Sequence, residues 1–292
     1  LIMMKIHFLP PLRISAKLYV FAIALILVST LAVIGCGNSD KVERHFNYGI
    51  DLYNQGRFQE AVAEYTEVIL LDSQHIYAYT NRGTTYYYLG QFRRSIQDFD
   101  QAIQLDTSHI YAYIFRGSAF QILGEFQKAV QDFDQALLLD PQLDVAYSMR
   151  GVAYRHLQQY EKAIQDFNEA IRLNPQLAAA YNNKGLAYYH LGEIRRAISE
   201  YDEAISLDPQ LGVAYFNRGS AHLDLSEYEQ AIQDYDKAIP LDPDNWLVHY
   251  NRGLAYDYID QHENAIQNYD QAIRLNPRHA VTYNNRGLAY AR

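Results

Sequence analysis

The feature that most constrains this chain is a glycine that recurs every 34 residues, from Gly49 to Gly287. A fixed period of about 20 to 50 residues indicates a repeat architecture, in which each unit packs only on its neighbours. We number the unit so that this glycine is position 8, which places the first unit at residues 42–75 and the eighth at 280–292. The chain is therefore expected to fold as an array of repeats rather than around one central core.

Several other positions of the unit keep one residue type. Position 20 is Ala apart from Ser95, position 27 is Ala apart from Val68, and position 24 is always Phe or Tyr. At about 100° of rotation per residue, positions 17, 20, 21, 24, 27 and 28 fall on one face of an α-helix. The pattern predicts an amphipathic helix, helix B, that buries this face.

A first helix, helix A, is predicted around position 8. Its large residues stand at positions 4 and 11, as Tyr147 and Tyr154 do on either side of Gly151. Small residues at positions 8, 20 and 27 let the two helices approach closely, while the aromatic residues interlock. From the third repeat onward position 32 is proline, which ends helix B because the residue before proline avoids the α conformation.

This unit resembles the tetratricopeptide repeat (TPR), with a large residue at 4, Gly at 8, Tyr at 11, Ala at 20, an aromatic at 24, Ala at 27 and Pro at 32. The resemblance covers residues 42–292 and departs most in the first repeat, at His45 and Leu52. It implies an all-α TPR solenoid, a right-handed superhelix of seven full repeats plus an eighth helix A. It also implies a concave groove, lined by positions 2, 5, 6, 9, 12 and 13 of helix A, that binds a protein segment.

Position 6 of the predicted groove carries a row of asparagines, called here the asparagine row. An amide both donates and accepts hydrogen bonds, so such a row can satisfy the backbone of an extended peptide. The alternative is that Asn is only a tolerated polar residue at this position. The asparagine row comprises Asn47, Asn81, Asn183, Asn217, Asn251 and Asn285.

The asparagine row is interrupted in repeats three and four by Phe115 and Met149. Together with Ile114 and Ile122, these residues are expected to form an apolar patch that anchors a partner's side chain. The alternative is a locally drier and tighter groove. The aromatic residues expected to line the groove as well are Tyr77, Tyr111 and Tyr189.

A basic residue at position 7 recurs opposite an acid at position 23 of helix B. Arg150 and Asp166 are one such pair, and only Asn268 replaces the acid where the base is present. We interpret these residues as structural ion pairs rather than as a binding surface. As exposed pairs they are expected to contribute less than about 1 kcal/mol each.

Residues 1–35 differ in composition from the repeats. Lys5, Arg13 and Lys17 precede an uncharged apolar run at 18–34, which is the layout of a secretory signal. The only cysteine, Cys36, follows in the sequence LAVIGC, which resembles the bacterial lipobox. The resemblance implies that Cys36 is lipidated and becomes the new N-terminus, as in bacterial TPR-containing lipoproteins.

Three alternatives stay open for this segment. Residues 1–35 are a cleaved signal, with 36–41 as a lipidated tether; or they are an uncleaved anchor; or Cys36 is a free thiol. The first two place the TPR domain, 42–292, on the extracytoplasmic side of a cell-envelope membrane.

Several functions are not expected. A net charge of −9 argues against nucleic acid, whose binding depends on Lys and Arg. No cofactor, metal or catalytic site is predicted, although His156 and His190 occupy equivalent groove positions and leave a weak zinc or pH-sensing role open. The Lys and Asn pattern of the TPR carboxylate clamp is absent at positions 5 and 9.

Two functions are therefore expected from the sequence. The first is a membrane-tethered adaptor that binds an extended or helical protein segment in the groove. The alternative is self-assembly into a homo-oligomer, because the eighth helix A would expose Val281, Leu288 and Tyr290 as an apolar strip.

Overall fold

The computed structural model describes residues 39–292, and this range contains 15 α-helices and no strand. The helices alternate as helix A and helix B of successive repeats. The A helices are α1 (Ser39–Asn54), α3 (Ile76–Tyr88), α5 (Ile110–Ile122), α7 (Asp144–His156), α9 (Ala178–His190), α11 (Gly212–Asp224), α13 (Trp246–Tyr258) and α15 (Ala280–Ala291). The B helices are α2 (Phe58–Leu71), α4 (Phe92–Leu105), α6 (Phe126–Leu139), α8 (Tyr160–Leu173), α10 (Ile194–Leu207), α12 (Tyr228–Leu241) and α14 (His262–Leu275).

The order of helices confirms the predicted all-α TPR superhelix. Helix α1 begins at Ser39, inside the segment 36–41 that was expected to be a tether. The predicted signal or anchor and the lipidation of Cys36 lie outside the described residues. Within residues 39–292, no helix combines the length and apolar character needed to cross a membrane.

The core of each repeat forms where the aromatic ring at position 24 packs on the glycine at position 8. The seven rings are at most 1% exposed, from Tyr65 to Tyr269. A Cβ atom built on Gly151 would lie 2.8 Å from Cε1 of Phe167, so no larger residue fits without displacing the ring. The close approach of helices A and B thus explains why glycine recurs at position 8.

Contacts between repeats are unequal on the two sides of the array. Each A helix packs on the A helix of the next repeat, whereas no two B helices contact each other within residues 39–292. Since the A helices are closer together than the B helices, the array curves with the A helices on its concave side. The groove predicted on helix A therefore lies on the concave surface.

The turn between helices A and B has the same backbone conformation at position 15 in every full repeat. Position 15 adopts a left-handed conformation with φ between 57° and 78° in all seven full repeats. Glycine adopts this conformation without strain, and four repeats have it. The other three use Gln158, Ser226 and Asp260, so the turn is set by the packing of the helices rather than by glycine alone.

Candidate peptide-binding groove

Exposed apolar side chains mark the two edges of the concave surface. In repeats two to seven, the large apolar residues that helix A exposes all stand at position 2 or position 13. Tyr77 and Val213 at position 2 are 51% and 40% exposed, and Tyr258 at position 13 is 61% exposed. Apolar residues grouped in this way are typical of a surface that binds a partner.

The asparagine row lies on the concave side, but several of its side chains bond within the protein. Asn183 donates to the carbonyl of Ala179 at 2.9 Å, and Asn217 donates to Oδ1 of Asn182 at 2.9 Å. Asn217 is also buried, so it offers little surface to a ligand.

Three more members of the asparagine row contact a hydroxyl group. Asn251 donates to Oγ of Ser220 at 3.4 Å, and Asn285 donates to the hydroxyl of Tyr250 at 3.3 Å. Asn81 is hydrogen-bonded to Tyr65. An amide has two N–H donors and one acceptor, so these side chains keep hydrogen-bonding capacity for a peptide. The row also joins neighbouring repeats, which the sequence pattern did not predict.

Of the expected apolar patch in repeats three and four, only Ile122 is exposed, at 38%, and the other members are buried or half-buried. Ile114 is only 9% exposed and packs with Met149, and Phe115 stacks on Phe99 with ring centroids 5.8 Å apart. The carbonyl of Met149 also accepts a hydrogen bond from Gln121 at 2.8 Å. These side chains fill the contacts between repeats, as in the drier and tighter groove of the alternative interpretation.

The remaining predicted groove residues take different positions. Tyr77 is exposed at one edge, with its ring against His109, whereas Tyr111 is half-buried and contacts the same imidazole. Tyr189 donates a short hydrogen bond to Asp224 of the next repeat. Of the three tyrosines, Tyr77 presents the largest open surface.

The bases at position 7 form the predicted ion pairs, and these pairs are buried rather than exposed. Arg150 donates to both oxygens of Asp166 at 2.7 and 2.8 Å, and also to Asp134 of the preceding repeat at 2.5 Å. Asp166 is only 5% exposed. The expectation of solvent-exposed pairs was therefore wrong, because helix A covers position 23.

Five repeats have the second bond, which joins the base to an acid at position 25 of the preceding repeat. In repeats three, four, six and seven the base therefore links two repeats as well as the two helices of its own repeat, which occupies most of its donors. These pairs are Arg116 with Asp100, Arg150 with Asp134, Arg218 with Asp202, Arg252 with Asp236, and Arg286 with Asp270.

Family models agree with this geometry. Models described as "Tetratricopeptide repeat" match residues 42–75, 76–109, 110–143, 178–211 and 246–279. A model described as "TPR repeat" matches residues 151–192 and 219–257. The chain belongs to the tetratricopeptide repeat family. No curated protein sequence matches it significantly.

Solved structures show the same TPR fold. A tetratricopeptide repeat protein from Parabacteroides merdae is 20% identical, with a TM-score of 0.68 over 86% of this chain and 99% of that one. A chain of the APC/C hetero-tetramer Cut9-Hcn1 is 17% identical, with a TM-score of 0.68 over 82% of this chain. This chain spans 48% of that protein. YrrB, described as a TPR protein with an unusual peptide-binding site, is 24% identical, with a TM-score of 0.51 over 63% of this chain and 95% of its own.

The TPR fold suggests a protein–protein interaction scaffold, and TPR proteins are generally not enzymes. Among residues 39–292, no three His, Cys, Asp or Glu side chains are grouped as metal ligands.

One edge of the TPR groove is built from aromatic stacks that the sequence pattern did not reveal. In repeats two, four, five and seven, the ring at position 13 stacks on the ring at position 17 of the preceding repeat. His156 lies parallel to Phe126 at 4.4 Å between centroids, and Tyr258 lies on Tyr228 at 4.9 Å. Burial and the nearby charge of Arg155 lower the pKa of His156 to about 4.

The depressed pKa of His156 predicts a loss of stability in acid. Unfolding restores the ordinary histidine pKa of about 6.5, so between that pH and about 4 the unfolded chain binds more protons and the native state loses stability. His156→Phe keeps an aromatic ring stacked on Phe126 and removes the group that binds this proton. The variant should therefore lose less stability than the wild type between pH 7 and 4.5, measured as the change in urea midpoint.

Tyr258→Phe is the matched control for this prediction. This substitution changes a stacked ring at the same position 13 but removes no imidazole. The variant should therefore lose as much stability between pH 7 and 4.5 as the wild type does. Equal losses for His156→Phe and the wild type would contradict the prediction.

Proposed function

We propose that this protein is a scaffold that holds an extended or helical segment of a partner protein in its concave groove. The observation that carries the proposal is the placement of exposed apolar residues at positions 2 and 13 of the A helices. Between these edges, asparagine and hydroxyl groups supply polar contacts, which suits a segment that presents both side chains and backbone. The description of YrrB as a peptide-binding TPR protein agrees with this use of the fold.

The proposal predicts that a charge on the concave surface weakens partner binding more than a charge on a B helix. Val213→Asp places a carboxylate at an exposed apolar position of the groove, whereas Leu138→Asp places one on helix α6, where Leu138 is 75% exposed. Desolvating a charge in an apolar contact is unfavourable, so Val213→Asp should weaken partner capture at least about tenfold.

The comparison uses photo-crosslinking in cells, followed by binding measurements with the captured partner. A photo-crosslinking amino acid in place of Tyr77 should form adducts with the partner, and the same amino acid in place of Leu138 should form none. Equal effects of Val213→Asp and Leu138→Asp on capture would reject the groove as the binding surface.

We further propose that the scaffold is attached to the cell envelope and faces the extracytoplasmic side. The support is the apolar run 18–34, followed by the only cysteine of the chain, Cys36. Intact mass of the protein from the membrane fraction tests this proposal. A chain that begins at Cys36 with added lipid supports it, and a free Cys36 on an uncleaved chain contradicts lipidation.

Self-assembly is a second candidate function. Helix α15 exposes Val281, Tyr283, Leu288 and Tyr290, each at least 41%. Light scattering of the full chain tests this candidate, since a monomer at high concentration is incompatible with it.

A further inference from the structure

Along one edge of the groove, the residue at position 12 meets the residue at position 13 of the next repeat. Two of these pairs form hydrogen bonds. Tyr189 donates a short hydrogen bond to Asp224, and Arg292 donates to Asp257 at 3.2 Å. Equivalent positions in repeats four and five hold Arg155 and His190, neither of which is an acid.

Arg155 consequently has no carboxylate partner. Among the described residues it forms no ion pair within 4.0 Å, its Nη2 lies 3.4 Å from Nε2 of the adjacent His156, and its Nε is buried without a hydrogen-bond partner. The hydroxyl of Tyr201, which interacts electrostatically with Arg155, is also buried and without a partner. The arginine stays protonated because its pKa lies far above neutral, although burial lowers it. A buried, charged donor without an acceptor is unfavourable unless another group completes the site.

Two histidines form the open side of this cluster. His156 stacks on Phe126, and His190 stacks on Tyr160 with ring centroids 5.2 Å apart. Both histidines keep part of their surface open to solvent. Burial, together with the charge of Arg155, lowers the pKa of each one, so both rings are neutral at pH 7.

Asp224 of α11 is bonded to Tyr189, and the groups of the neighbouring helices that act on the cluster itself are uncharged at neutral pH. Helix α8 contributes Tyr160, and α10 contributes Tyr201. No carboxylate is among the groups that act on Arg155, His156 or His190. The cluster therefore has a charge of about +1 in a protein whose formal net charge is −9.

We propose that Arg155, His156 and His190 bind a carboxylate of the partner segment, either an acidic side chain or a C-terminal carboxylate. This inference rests on the proposed groove function and specifies one anchor within it. A guanidinium matches the planar carboxylate with two parallel N–H donors. The single positive charge of the cluster neutralises one carboxylate, whereas it would neutralise only half of the charge of a phosphate dianion.

The site also makes binding depend on pH. A bound carboxylate stabilises a protonated imidazole, so it reverses the effect of Arg155 on His156 and His190. By linkage, the carboxylate binds more tightly only below about pH 6.5, where the imidazoles begin to gain protons, because the pKa of each lies below the ordinary histidine value.

Acetate is the probe that tests the site without the partner. In the full chain labelled at histidine, NMR titration with acetate at pH 6.5 and constant ionic strength should shift the ring signals of both His156 and His190 until the site is saturated. Arg155→Gln should reduce this response at least about fivefold, because the charged fork is lost. Arg94→Gln is the matched control, since Arg94 is an exposed base on helix α4, and it should leave the response unchanged.

Three outcomes would overturn the assignment. These are no response to acetate, an equal response in Arg155→Gln, or a larger response to inorganic phosphate than to acetate.

The carboxylate source is then identified with two probes, acetyl-dialanine with a free C-terminus and amidated acetyl-alanyl-aspartate. A stronger response to either one supports the site and names the source. A failure here leaves the Val213→Asp comparison intact, so the site and the groove are tested separately.

Discussion

Replacing Gly185 by alanine should destabilise the protein by about 1 to 3 kcal/mol. The new Cβ would lie 2.6 Å from Cε1 and 2.8 Å from Cδ1 of Tyr201, a ring that is 0% exposed. The ring cannot move away because it is packed on all sides, so helices α9 and α10 must separate. Alanine gains about 1 kcal/mol over glycine in helix propensity, and the clash exceeds this gain. Urea unfolding, followed by circular dichroism, measures the difference.

Gly287→Ala is the matched control for this prediction. Gly287 occupies the same position 8 of the unit, but an added Cβ meets no atom within 4 Å there. Alanine should therefore leave stability unchanged or raise it by up to about 1 kcal/mol. Equal destabilisation by the two substitutions would show that the ring at position 24 is not the reason for the glycine.

The two glycines show how much of the fold the sequence determines. Contacts inside one repeat join positions of fixed spacing, so the pattern of glycine, alanine and aromatic residues predicted them. Gly151 does lie against Phe167, and Ala163 and Ala170 are fully buried. The boundaries of helices A and B follow from the same pattern.

Contacts between repeats were harder to predict. The stack of His156 on Phe126 and the bond between Asn217 and Asn182 depend on how one repeat is rotated relative to the next. Helix periodicity describes a single helix and contains no information on that rotation. The concave surface was therefore assigned to the correct helices, whereas the exposure of individual residues, such as Ile114, had to come from the structure.

The burial of the position 23 acids leads to the prediction with the largest expected effect. Arg150→Met should destabilise the protein by about 3 to 5 kcal/mol, because it leaves the Asp166 carboxylate buried without its partner. Burial already raises the pKa of Asp166 even with Arg150 present. Without the arginine the pKa rises further, so protonation relieves part of the penalty, and the loss should be smaller at pH 5 than at pH 7.5.

Repeat seven supplies the control for this prediction. There Asn268 replaces the acid and accepts a hydrogen bond from Nε of Arg252 at 2.8 Å. Arg252→Met leaves a neutral amide behind, so it should destabilise by about 1 to 2 kcal/mol. By the same reasoning, Asp166→Asn should change the free energy of unfolding by at most about 1 kcal/mol, since repeat seven already folds with this pair. Equal losses for Arg150→Met and Arg252→Met, compared by urea unfolding, would mean that the acid at position 23 adds no buried-charge penalty.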